Sequence, residues 1–258
     1  QSRAGGLCTH LRHAQPAAAG GRARALSARP VLPHQRPHGA AARAARATRR
    51  RGHADPLLPP DLFKERTFTS ANIATFFFGA CFSGNILNNV LFLRTIWGFS
   101  ATKAGWFSVL SPIVVAITST IVGRRMASIG YKRLLIAGPM IMASTVMASV
   151  LFLHTNPTPW FPFLPIMFFL GIGLGATFPA LSACTIMRLP QNRFAVGSAI
   201  NNTFRQVGAA VGVALVVTVQ SQTEGIEGFR NGWKVAIGFA LAAAAVSIFQ
   251  PNKANQLA

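Results

Sequence analysis

The chain has 258 residues, 51% hydrophobic and 12% charged, with 25 Lys and Arg against 5 Asp and Glu for a formal net charge of +20. From residue 67 to residue 223 there is no acidic side chain. That excludes an ordinary water-soluble domain, in which charges of both signs make up about a quarter of the residues. A bilayer favours such a pattern, because a charge at its centre costs roughly 2.5–3.5 kcal/mol on the insertion scale. The composition predicts an all-α membrane protein preceded by a basic segment.

Residues 1–54 hold 11 of the basic residues and five of the six histidines, with no acid and no Ile, Phe, Met, Lys, Asn, Tyr or Trp. Such a segment cannot bury enough apolar surface to offset chain entropy, so a disordered Ala/Arg-rich segment is predicted. It has no apolar core of the kind that a secretory signal requires. An arginine-rich arm can bind nucleic acid or anionic lipid by counterion release. The other reading is that the segment is not genuine coding sequence. The missing residues are those with AT-rich codons, as when a GC-rich gene is read in the wrong frame, and the chain begins with Gln1. We favour the second reading and expect no nucleic-acid partner.

Residues 55–258 form the second predicted unit. A spanning helix needs about 20 apolar residues, and six stretches qualify, at 68–93, 104–122, 134–153, 161–187, 194–219 and 233–250. A charged lead-in, Asp61-Leu62-Phe63-Lys64-Glu65-Arg66, precedes the first, and Pro112 lies inside the second. A tight basic turn from Gly123-Arg124-Arg125 to Lys132-Arg133 joins the second to the third. The fourth contains Pro162, Pro165 and Pro179. The sixth is the weakest and needs Trp233 and Lys234 as interfacial anchors. One set of loops carries Lys64, Arg66, Arg124, Arg125, Lys132, Arg133, Arg188, Arg193 and Lys253, against Arg94, Lys103, Arg230 and Lys234 in the other. The positive-inside rule then predicts a multi-pass protein of the cell membrane with both ends of the six-helix bundle in the cytoplasm.

Polar residues inside a span are candidates for function, because lipid offers them no partner. On the fifth helix Gly197, Asn201, Arg205, Gly208 and Gly212 fall on one face, and Gly208 with Gly212 permits close approach of a neighbour. Arg205 lies roughly 12–18 Å along the axis from the cytoplasmic start of its helix. It either helps gate or attracts an anionic group in a wet interior, or fixes packing by binding carbonyls of a broken neighbouring helix. On the fourth helix Gly171, Gly173 and Gly175 give two small faces, and Pro179 denies a hydrogen bond to the Gly175 carbonyl. A hinge between Gly175 and Pro179 is expected, or close packing alone. Asn85 and Asn89 share one face of the first helix, beside Asn88 and Ser83. They are interhelical glue worth about 0.6–2 kcal/mol, or they line a substrate path with Asn201 and Arg205. Cys8, Cys81 and Cys184 follow no metal or redox spacing, and Cys81 and Cys184 are small hydrophobes within apolar runs. No carboxylate lies within a span, so no catalytic residue, metal or cofactor is expected, and the protein is not read as an enzyme.

The turn containing Gly123, Arg124, Arg125, Gly130, Lys132 and Arg133 resembles the cytoplasmic G-x-x-x-D-R-x-G-R-R/K loop of major facilitator transporters. Ala127 and Ser128 stand where that family has Asp and Arg. Three further runs resemble the fourteen-span drug:proton antiporters of that superfamily. They are Gly98-Phe99-Ser100-Ala101-Thr102-Lys103-Ala104-Gly105 through Pro112, Gly171-x-Gly173-x-Gly175, and Asn201-Asn202-Thr203-Phe204-Arg205-Gln206-Val207-Gly208. The resemblance covers about residues 56–249 and implies half of a major facilitator fold, its C-terminal six-helix bundle. It implies the C-terminal half of a proton-coupled multidrug efflux transporter, truncated and inactive without its N-terminal helix bundle, where the proton-binding acids would lie. The expected partners are the lipid bilayer, that missing bundle, protons and a small hydrophobic or cationic substrate. Export of a specific metabolite or antibiotic is the alternative, or a non-transporting scaffold that assembles through its glycine faces.

Overall fold

Backbone polar groups in a bilayer must be satisfied within the segment, and helices satisfy them. The computed structural model describes residues 60–187 and 189–249, and the segment 1–54, read from sequence as disordered, lies outside them, as does Arg188. Among the described residues six helices are long and apolar enough to cross a membrane. They are α1 (Arg66–Thr95), α2 (Ala101–Ile129), α3 (Tyr131–Phe152), α4 (Leu164–Ile186), α5 (Phe194–Ser221) and α6 (Ile226–Ile248).

Local chemistry sets the breaks. Ser100 starts α2 by accepting the Lys103 N–H on its side chain at 3.3 Å. Within α2, Pro112 has no N–H to offer the Ser108 carbonyl, and the helix loosens at Val109 while keeping helical angles (φ −67°, ψ −20°). The basic turn expected over residues 123–133 is shorter than its motif. Arg124 and Arg125 remain helical, and the chain reverses at Gly130 alone (φ +88°), a conformation open chiefly to glycine. Ahead of α4, Pro159, Pro162 and Pro165 withhold three N–H groups, and Phe161 is extended (φ −147°, ψ 125°). The regular helix therefore begins at Leu164.

α1 runs through the middle, packed most extensively on α5 and also on α6 and α4. α4 packs on α2 and α3, and α3 on α6. The order α2–α4–α1–α5 thus forms one face, with α3 and α6 behind it. Missing side chains permit these approaches. A Cβ at Gly208 or Gly212 would overlap the carbonyl oxygens of Phe76 or Ala80 on α1. On α4, Cβ atoms at Gly171 and Gly175 would come 2.8 and 2.9 Å from the Ser111 and Val115 carbonyls of α2. Gly173 faces the other way, 3.1 Å by the same measure from the Gly138 carbonyl of α3. The two small faces of α4 therefore each receive a helix.

Aromatic rings pin one end of the bundle. Phe92 meets Trp233 at 5.1 Å, Trp97 at 5.2 Å and Phe229 at 5.6 Å, and Trp97 meets Phe163 at 5.7 Å. Trp233 was expected as an interfacial anchor, but it is 0% exposed and donates its indole N–H to Asn89 Oδ1 at 2.8 Å. α6 gains its length instead by starting at Ile226, through a polar turn in which Arg230 pairs with Glu227. Trp233→Phe keeps the ring but strands Asn89 Oδ1. It should lower stability to a denaturing detergent by about 1–3 kcal/mol, and adding Asn89→Leu should recover most of the loss.

Candidate functional site

The face α2–α4–α1–α5 carries Asn89, Asn201 and Arg205 of the polar residues singled out from sequence, and it holds them in two places. The first centres on Asn201 of α5, which is buried at 9% exposure. Its Nδ2 lies 2.8 Å from Thr75 Oγ1, 2.9 Å from Thr185 Oγ1 and 3.3 Å from Asn72 Oδ1. Both threonine hydroxyls already donate within their own helices, to Ala71 and Leu181, so towards Asn201 they act as acceptors. Asn201 thereby ties α1 and α4 to α5.

One turn on, Arg205 is half-buried and donates to Asn202 Oδ1. Its guanidinium lies over the Phe178 ring, 5.4 Å from the centroid. It does not bond the carbonyls of a broken neighbour. The Arg205 backbone is held instead against Gly79, where a Cβ would overlap its carbonyl oxygen. Arg205, Asn202, Asn201, Ser198, Ser182 and Phe178 line a cavity of about 200 Å³ with Thr75, Phe78 and Leu181. None of these lining residues is a carboxylate.

Beyond Phe178 lies a second, apolar cavity of about 320 Å³, bounded by α1, α2 and α4. Phe82, Ile86, Pro112, Met167 and Leu174 are among its walls, with Asn89, Ser108 and Ser111 as its polar groups. Phe178 touches both cavities, Phe78 only the polar one and Phe82 only the apolar one. The three rings form the wall between them. Phe178 meets Phe78 at 5.0 Å and Phe82 at 5.8 Å, both edge to face, and Phe78 stacks on Phe82 at 6.2 Å.

The predicted residues therefore divide. Asn201 and Arg205 share the polar cavity, and Asn89 lines the apolar one while accepting from Trp233. Asn85 is 2% exposed, with no partner for its Oδ1 and no place in either cavity. Gly171, Gly175, Gly208 and Gly212 serve helix contacts, and Pro179 sits within a continuous α4. Arg124, Arg125 and Arg133 are exposed at the basic turn, Lys132 is half-exposed, and Gly123 has nothing near it. Sequence reasoning missed Asn72, Thr75, Thr185 and Asn202. The first two could have been found as a polar pair one turn apart in an apolar run. It also missed Phe178, which nothing in a phenylalanine-rich sequence distinguishes.

The family model described as the Major Facilitator Superfamily matches residues 25–213 and 71–254. The multidrug transporter protein MdtP of Bacillus subtilis is 29% identical over 174 residues, covering 66% of this chain and 31% of that protein. Multidrug resistance protein 3 of the same species is 25% identical over 209 residues, covering 78% and 39%. The probable multidrug resistance protein EmrY of Escherichia coli is 28% identical over 177 residues, covering 67% and 33%. The chain thus spans between 31% and 39% of the length of these three relatives.

Asn201→Ala removes an amide NH2 whose two N–H donors are set among three acceptors, and should cost about 0.6–2 kcal/mol in reversible detergent unfolding. Asn201→Asp presents oxygens alone to those acceptors and is expected to cost more than the alanine change.

Proposed function

The chain belongs to the major facilitator superfamily, and from that premise we propose that its six helices are the C-terminal bundle of a proton-coupled efflux transporter. It would export small hydrophobic compounds by rocking against a complementary bundle, so that a site between the two opens to each side of the membrane in turn. One observation supports this reading above the others. The face with both cavities is bordered by α2 and α5, whose most apolar windows are each only 17% buried, against 44–56% in the other four helices. Two sparsely buried helices flanking a concave, partly polar surface suit a second bundle closing over it. Asn89, Asn201 and Arg205 are the pathway residues of this half, with Asn85 behind them.

Proton-binding carboxylates would belong to the complementary bundle, since none lies between residues 67 and 223. The protein is then a carrier rather than a catalyst. Rocking would draw on α4, where Pro179 leaves the Gly175 carbonyl without its helical donor. Export of one specific metabolite uses the same geometry and differs only in the substrate. A scaffold assembled through glycine faces is less well supported, because Gly171, Gly175, Gly208 and Gly212 are occupied inside the bundle. We place both ends of the bundle in the cytoplasm of a cell with the Arg124–Arg125 turn beside them, from the loop charges.

Two measurements test this reading. In a bacterium lacking its own pumps, co-expression with the N-terminal bundle of a relative such as MdtP should restore efflux of lipophilic antibiotics. Efflux by this chain alone at the same rate, or by neither combination, contradicts the proposal. For threading, single cysteines at Lys103 and Arg124, in a chain freed of its own thiols, should react with an impermeant maleimide from opposite sides. Reaction from one side would contradict it.

A further inference from the structure

We propose that the two cavities separated by Phe178 are one binding site for an amphipathic anion. Its carboxylate or sulfonate would lie against Arg205, its ring system would occupy the apolar compartment, and Phe178 would be the movable partition. The proposal rests on the transporter reading only in calling that anion a substrate; the binding site stands on the geometry alone.

Charge comes first. Arg205 is the one Lys or Arg lining either cavity, and no Asp or Glu lines them. Its partners are neutral, an amide oxygen of Asn202 and the face of Phe178. A guanidinium carries five N–H donors in a plane shaped for a carboxylate or sulfonate, and one bond to Asn202 leaves the others for such a group. Ser182 and Ser198 add hydroxyls to the same 200 Å³. A cationic ligand would meet repulsion there with no acid to offset it, so the cationic substrates implied by family resemblance fit this half poorly.

Shape comes second. The polar compartment is too small for a whole ligand by the usual scale of about 300–1,000 Å³. The apolar one, about 320 Å³, holds a fused or paired ring system but offers no charge. The two meet at a single side chain. Phe178 is half-buried, contacts Phe78 and Phe82 only edge to face, and precedes Pro179 in α4. Rotation of its ring joins the compartments while the stacked Phe78–Phe82 pair stays in place. Arg205 lies on that same ring, so an anion that draws the guanidinium away also releases the partition.

The test uses the full chain in phosphatidylcholine nanodiscs and two radiolabelled probes with the same rings, 8-anilinonaphthalene-1-sulfonate and uncharged N-phenyl-1-naphthylamine. Binding is read by scintillation proximity with empty discs subtracted. The chain should hold the sulfonate about tenfold more tightly than the amine, the factor expected of one charge-assisted contact. Arg205→Gln should abolish that preference, Arg205→Lys should keep most of it, and Phe178→Ala should weaken both probes. If Arg205→Gln does not fold, Ser198→Asp, which sets a carboxylate in the same cavity, should abolish the preference instead. Equal binding of the probes, no saturable binding, or a preference that survives loss of the Arg205 charge would overturn the proposal. Loss of sulfonate binding when phosphatidylglycerol is added would assign the cavity to a lipid headgroup and overturn it too. None of these readouts needs transport, so a failure here is separable from a failure of the efflux experiment.

Discussion

α1 lies against α5 with the two backbones touching, because Gly208 and Gly212 place no side chain between them and the carbonyls of Phe76 and Ala80. Lipid tails are as apolar as leucine, so helices in a bilayer gain little from hiding apolar surface from one another. Close van der Waals packing has to hold them instead. The glycine contact brings α5 near enough for Asn201 to reach Thr75 on α1, and Thr185 on α4 completes the tie. It also seats the Arg205 backbone on Gly79, so that its side chain emerges beside Phe178 rather than into lipid. The position of Arg205, the one Lys or Arg lining the two cavities, is thus a consequence of side chains that are absent.

Several of the polar groups inside the bundle meet a partner on another element, although Asn85 Oδ1 and Asn88 Oδ1 do not. Trp233 satisfies Asn89, Asn88 Nδ2 reaches the Phe229 carbonyl at 3.0 Å, and Trp97 donates to the His154 carbonyl at 2.9 Å. These bonds knit α1 to α6 and one interhelical loop to another. Arg205 is different, because its neighbours are neutral and its cavity lies on the face bordered by the least buried helices. Arg205 is half-buried, and no Asp or Glu lines its cavity, which is the observation on which the proposed anion site rests.

The fold was legible because residues 67–223 contain no acid and the apolar runs have spanning length, which left helices as the only solution. The faces of α4 and α5 were legible too, since glycine spacing of two and four residues states which sides are thin. Other features depended on contacts across long sequence distances. Trp233 next to Lys234 has the local signature of an interfacial anchor, and only the approach of Asn89, 144 residues away, makes it a buried donor. The basic motif over residues 123–133 suggests a loop, yet Arg124 to Ile129 suit a helix well enough to remain one, and Gly130 alone turns the chain. Phe178 was invisible because the sequence has 20 phenylalanines and nothing in an apolar run marks the one that divides a cavity.

The most direct check of the glycine contact is a set of Gly→Ala changes compared by unfolding in a denaturing detergent. A helical glycine with free space around it should gain about 0.5–1 kcal/mol when changed to alanine. Gly105, Gly123 and Gly238, where an added methyl would meet nothing within 4 Å, belong to that group. Gly208 and Gly212 should instead lose stability, because the methyl would push α5 off α1. Opposite signs for the two groups are the predicted result. A gain at Gly208 and Gly212 equal to that at the open glycines would mean that α1 and α5 do not touch as described.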